Sequence, residues 1–144
     1  MFRYIIAMSR SRQEIANKIA DASTEIDMHI IKLLLYPNIR TCSHWKQEVV
    51  NFLYAVDRLK GSNKWPSEKF IYEYLSCHND ILSNYKMIVE EDYEELKPSD
   101  ISIQSIEQAV VEYQRYLAHE LSNNGIISRK FAYSKLDSIL NKYN

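Results

Sequence analysis

Glycine, proline and cysteine are scarce in this chain, with 2, 3 and 2 among 144 residues. Each shortage excludes something. All-β folds and nucleotide-binding α/β folds need glycine wherever a tight turn or a phosphate cradle demands a positive φ or a close backbone approach. Two glycines cannot furnish such turns, so long helices joined by a few loops are expected. Cys42 and Cys77 are too few for a disulfide framework and read as free thiols. No apolar run approaches the ~20 residues that a membrane span needs, so no membrane association is expected. Phe2 to Met8 is too short for a signal-peptide core and leads into Arg10 and Arg12 instead of a small-residue cleavage site. A cytoplasmic protein is the expectation. Residues 1–144 read as a single domain in which 1–8 are a loose extension, with Met8 as an alternative native start.

A strong charge of one sign is also missing. The formal net charge is −1, so no global field draws nucleic acid or anionic lipid. The charges are unevenly spread, however. Residues 1–65 hold 10 Lys and Arg against 6 Asp and Glu, and residues 66–144 hold 8 against 13. Much of the acidic half lies in one run, Glu90, Glu91, Asp92, Tyr93, Glu94 and Glu95, which is either a solvated helix face or a dock for a basic partner.

What the chain does contain is apolar residues at helical spacing; at 46% hydrophobic, it has enough of them to build a core. Ile15, Ile19, Ala22, Ile26, His29 and Leu33 recur at four-three spacing behind a Ser11/Glu14 capping box, and Tyr36-Pro37 ends that helix. Thr41 or Ser43 starts a second helix with Trp45, Val49, Phe52, Leu53, Val56 and Leu59 inward, closed by Gly61. Trp65-Pro66-Ser67 opens a third with Phe70, Ile71, Tyr74 and Leu75. Asn79-Asp80 breaks it or caps a fourth with Ile81, Leu82, Tyr85, Ile88 and Val89. After the loop Lys97 to Asp100, a helix carries Ile106, Val110, Tyr113, Leu117 and Leu121 and ends at Asn123-Asn124-Gly125. Ser128 starts the last, with Phe131, Leu136, Ile139 and Leu140 inward. No segment alternates as a strand does, and no repeat is visible. The fold class expected is all-α, a single bundle of five or six helices. The seam of the first helix could continue into a partner, which makes a homodimer an option beside an intramolecular core.

Chemistry is harder to find. Cys42 with His44, and Cys77 with His78, total four soft donors, but adjacent helical residues point ~100° apart and structural zinc pairs are spaced by two to four, so no metal and no cofactor are expected. His29 stands on the apolar seam with Glu25 one turn before it. A carboxylate there would orient the imidazole and raise its pKa, as a general base or a pH-sensitive contact requires. No nucleophile elbow or phosphate loop occurs, so no catalytic residue is assigned, and a small hydrolytic enzyme around His29 or His44 is the remotest reading. Arg10, Arg12 and Lys18 form a basic helix that could touch nucleic-acid phosphates. Tyrosine is unusually frequent, with 11 residues, and it brings apolar area, a polar tip and little rotamer entropy to an interface.

His29-x-x-Lys32, Pro37-x-x-Arg40, Ser43 and Trp45 together resemble the H-x-x-K, P-x-x-R, S-W pattern of domain-of-unknown-function family 29, over residues 29–45. That resemblance implies a helical bundle and no assigned activity. The function expected from the whole reading is non-enzymatic protein–protein interaction: an accessory, inhibitor or regulatory protein. An Ile-, Lys- and Asn-rich composition points to bacteria or their phages and other mobile elements. The expected contact surface combines Arg40, His44, Tyr72 and Tyr116 with the Glu90 to Glu95 run, and the partner is another protein or a second copy.

Overall fold

Each four-three stripe becomes a helix because a coiled backbone is what brings those residues to one side. The computed structural model describes residues 10–144 except 39, 62–66, 79, 93–96 and 124–125, and the side chains of 10–12 and 91–92 are likewise outside the description. Its helices are α1 (Arg10–Leu35), α2 (Cys42–Lys60), α3 (Glu68–Cys77), α4 (Ile81–Met87), α5 (Ile103–Ser122) and α6 (Arg129–Tyr143). A π-helical turn, Ile88–Asp92, continues α4, and the described residues contain no strand. The fold is an all-α bundle. Among the described residues no helix is long and apolar enough to cross a membrane.

The 26-residue α1 is the centre of the bundle, touching all five other helices and packing most extensively on α2. Its buried face is wider than one seam. Ile19, Ile26 and Leu33 are joined by Ala16, Ala20, Ile30, Ile31, Leu34 and Leu35. Full burial of an isoleucine or leucine stabilises by roughly 1.5–3 kcal/mol relative to exposure, so this helix organises the core. Of the seam itself, Ile19, Ile26 and Leu33 are buried within the chain, whereas Ile15, Ala22 and His29 are half-buried.

Local chemistry sets the helix ends. Ser67, Asp80, Ser102 and Ser128 each sit at an N-cap, and each side chain accepts a hydrogen bond from the backbone N–H three residues on, at 3.0 to 3.3 Å. Thr41 occupies the N-cap of α2 without such a bond, and Ser43 lies inside that helix. Ser11 is already helical, so the proposed capping box does not start α1. Gly61 closes α2 at φ 56°, ψ −137°, a conformation that side chains resist. Two bonds from Ser99 seal the end of α1: Oγ donates to the Leu34 carbonyl at 2.7 Å and N–H to that of Leu35 at 2.8 Å.

Two residues expected inward face out. Leu82 is 43% exposed, because α4 is only seven residues long and buries none of them fully; the π turn that follows redirects the chain and buries Ile88 instead. Phe131 is 55% exposed. The inward stripe of α6 is Ala132, Leu136, Ile139 and Leu140, and Phe131 lies about 100° round the helix from Ala132.

Candidate functional site

Turning Phe131 outward opens a groove of ≈ 450 Å³ between α5 and α6. On α5 the residues Glu112, Tyr116, His119 and Glu120 follow one flank at spacings of four, three and one, beside Arg115. On α6 the flank is Phe131 and Lys135, one turn apart. Ser128 fixes the start of α6, and so places Phe131 in its first turn. Ile126, just before the helix, is 89% exposed. The Phe131 ring meets Tyr116 with centroids 5.8 Å apart, and Tyr116 meets Tyr113 at 5.3 Å. A second groove of ≈ 280 Å³ lies between α3 and α5, and Arg115 is common to both. Its guanidinium stands 4.5 Å over the Tyr72 ring.

Polar groups in this region fall into two classes. Glu112 is engaged: Lys142 Nζ donates to its Oε1, and Tyr143 Oη does so at 2.6 Å. Desolvation pushes the Glu112 carboxyl up, but those hydrogen bonds and the fields of Lys142 and Lys135 outweigh it, and the net shift is downward. His119 is engaged at both nitrogens, with Nδ1 3.0 Å from Glu68 Oε1 and Nε2 3.3 Å from Asn123 Nδ2. With Nδ1–H donating to Glu68 and Asn123 donating to Nε2, the ring is tied to α3 and to the end of α5. Glu120 and Lys135 form no ion pair among the described residues. Tyr116, only 7% exposed, keeps a hydroxyl with no hydrogen-bond partner, and burial followed by the field of Glu120 raises its pKa. An orphaned buried hydroxyl costs about 1–3 kcal/mol.

Across α5, the same helix builds an enclosed polar centre. Gln114 Nε2 lies 2.6 Å from both Asp27 carboxylate oxygens and 2.7 Å from Ser23 Oγ, while Oε1 has no partner. An amide has two hydrogens for those three acceptors. The three acceptors therefore share the amide's two hydrogens. Burial pushes the Asp27 carboxyl well above the usual carboxylate range, partly opposed by the Gln114 hydrogen bond. The trio lies inside the α1–α5 contact, away from the grooves, and is structural.

The other expected residues are dispersed. His29 on α1 bonds through Nδ1–H to the backbone carbonyl of Glu25 at 2.7 Å, not to its carboxylate, and its ring rests 5.8 Å from Phe52. Arg40 is exposed just before α2, and His44, 65% exposed, is 3.8 Å from Glu48. Neither His29 nor His44 lines the two grooves. Tyr72 and Tyr116 do line them, though Tyr116 is buried where an exposed contact residue was expected. Glu90 is exposed in the π turn, which also includes Glu91 and Asp92, whereas Tyr93, Glu94 and Glu95 lie outside the described residues. Lys18 is exposed on α1; Arg10 and Arg12 belong to its first turn, with their side chains outside the description.

Cys77 Sγ lies 3.3 Å from His78 Nδ1, but this is no nucleophile–base pair. Both groups point at the Tyr74 carbonyl, at 3.2 and 2.9 Å, so Nδ1 carries a proton and donates it there. Burial raises the Cys77 thiol, which further disfavours the thiolate. Among the described residues no group of three His, Cys, Asp or Glu side chains is arranged to hold a metal.

Sequence reasoning passed over Lys135 and Glu112, gave His119 less weight than His29, and read Phe131 as a core residue. The usable signal was the i, i+4 pairing of Phe131 with Lys135 beside the apolar stripe of α6, which marks a flank and not a core face. The chain matches no protein-family model, no curated protein and no solved structure.

Proposed function

We propose that this chain is a non-enzymatic protein-interaction module acting in the cytoplasm, and that its contact surface is the groove between α5 and α6. The exposure of Phe131 in a groove that it lines with Tyr116 carries the reading. Large apolar side chains left in water next to a concave surface, with charged groups around them, have the composition of an interface core and rim. The Cys77–His78 pair, with both groups turned to the Tyr74 carbonyl, supports a binding role over a hydrolytic one. Arg40 and His44 are at the start of α2 and are set aside from this surface. Kinship with domain-of-unknown-function family 29 over residues 29–45 is part of the proposal and brings no activity with it.

The test is affinity capture from cell extract with the full chain and with Phe131→Asp. The original chain is expected to retain a partner at near-stoichiometric level, and the variant to lose it while keeping its helical circular dichroism. Equal recovery by both, or no stoichiometric partner with either, removes the groove as a contact surface.

A further inference from the structure

We propose that the cleft between α3 and α5 binds a phosphate monoester, with Arg115 and Lys69 holding the phosphate oxygens. This site is separate from the α5–α6 groove, although Arg115 borders both. At ≈ 280 Å³ the cleft has room for a small ligand, and it is lined by Glu68, Lys69 and Tyr72 from α3 and by Arg115 and Ala118 from α5. Ala118, buried and only one side-chain carbon long, is its floor. Lys69 and Arg115 are both exposed and come from different helices, yet neither forms an ion pair among the described residues. Two cations bordering one cleft repel each other, and an anion seated between them turns that repulsion into two attractions.

The carboxylate in the lining is committed elsewhere: Glu68 Oε1 accepts from His119 Nδ1–H at 3.0 Å. Arg115 is already arranged for a ligand. Its guanidinium stands 4.5 Å over the half-buried Tyr72 ring. That stack uses the flat face of the group and leaves its planar fork of N–H donors for oxygen acceptors. A phosphate matches the fork with two parallel hydrogen bonds, and Lys69 adds a point charge. Charge selects the monoester. It carries about −1.5 to −2 at pH 7 and so answers both cations, whereas a diester or a carboxylate has a single negative charge and leaves one unmatched.

Titration of the full chain with phenyl phosphate and with inorganic phosphate, followed by backbone amide shifts in nuclear magnetic resonance, tests the proposal. Saturable shifts are expected around Tyr72 and Arg115, with a Kd on the order of 1 mM because the contacts are open to water. Arg115→Gln should weaken binding roughly tenfold and Lys69→Gln about threefold. Arg115→Lys keeps the charge and loses the fork, so its affinity should fall between those of the original chain and Arg115→Gln. Tyr72→Phe should bind as the original does and Tyr72→Leu more weakly, since the ring and not the hydroxyl supports the guanidinium. Dimethyl phosphate, with its single charge, should bind more weakly than phenyl phosphate. Phe131→Asp should leave the titration unchanged, which separates this site from the α5–α6 groove. No saturation by phenyl phosphate, equal affinity for dimethyl phosphate, or an affinity indifferent to both Arg115→Gln and Lys69→Gln would each overturn the proposal. Loss of binding in Phe131→Asp would overturn it too, by placing the phosphate in the other groove.

Discussion

Asp27 at the α1–α5 contact and Glu112 at the α5–α6 groove are carboxylates on opposite sides of one helix, and their proton equilibria move in opposite directions. Desolvation raises both groups. For Asp27 the Gln114 hydrogen bond opposes it only partly, and the net shift is up. For Glu112 the Lys142 and Tyr143 donors and two nearby lysines prevail, and the net shift is down. Gln114 and Glu112 are two positions apart on α5, about 200° round the helix, so little more than half a turn of backbone separates an enclosed polar centre from an open one. The comparison teaches that burial alone does not decide a carboxylate's charge; the donors within reach do.

The largest expected effect breaks the comparison on packing. Ile30→Ala, in the fully buried face of α1, should lower unfolding stability by about 2–5 kcal/mol in denaturant titration. Phe131→Ala should cost under about 1 kcal/mol, since half of that side chain is already in water. Similar losses at both would mean that the groove is part of the core. Next comes Asp27→Asn. A carboxyl whose folded pKa is raised contributes stability that is fully present below its unfolded value of ~3.9 and lost as pH rises through the folded pKa, at up to about 1.4 kcal/mol per pH unit. The original chain should therefore lose stability with rising pH in that window, and Asp27→Asn should flatten the decline. A decline of unchanged slope in the variant would show that Asp27 is ionised in the fold.

Smaller effects sharpen the contrast. Ser128→Ala removes the cap that places Phe131 and should cost about 1 kcal/mol, while Thr41→Ala, where no cap bond exists, should change thermal stability far less. The smallest effect is expected from Glu112→Gln. A lowered carboxyl contributes stability that is present above its unfolded value of ~4.3 and lost as pH falls through the folded pKa. Its slight destabilisation should be visible near neutral pH, fade in acid and shrink with added salt. An effect at neutral pH as large as that of Ile30→Ala would make Glu112 a core residue.

Legibility followed the range of the physics involved. Stripes such as Ile106, Val110, Tyr113, Leu117 and Leu121 were readable because burial has the period of the helix itself, and Ser67, Asp80 and Ser128 announced helix starts because capping is local. Ser11 and Ser43 misled for the same reason: a capping residue type does not say which of two neighbouring positions leaves the helix first. Lys135 one turn on marks Phe131 as lying on a flank of its helix, but that this flank lines a groove depends on where α5 lies against α6. His29 was read by its neighbour Glu25, yet the backbone carbonyl proved nearer than the carboxylate.

From the amino-acid sequence alone came the helical class, the approximate limits of the helices and the lack of a membrane-spanning run, since scarce glycine and a three-to-four-residue apolar period act within one segment of chain. Tertiary structure alone decided that α1 is central, that Asp27 faces Gln114 across 87 residues, and that Glu120, Lys135 and Phe131 share one groove. Those facts depend on which helix packs beside which, and that choice is made by the shape and volume of whole faces, which no short pattern encodes.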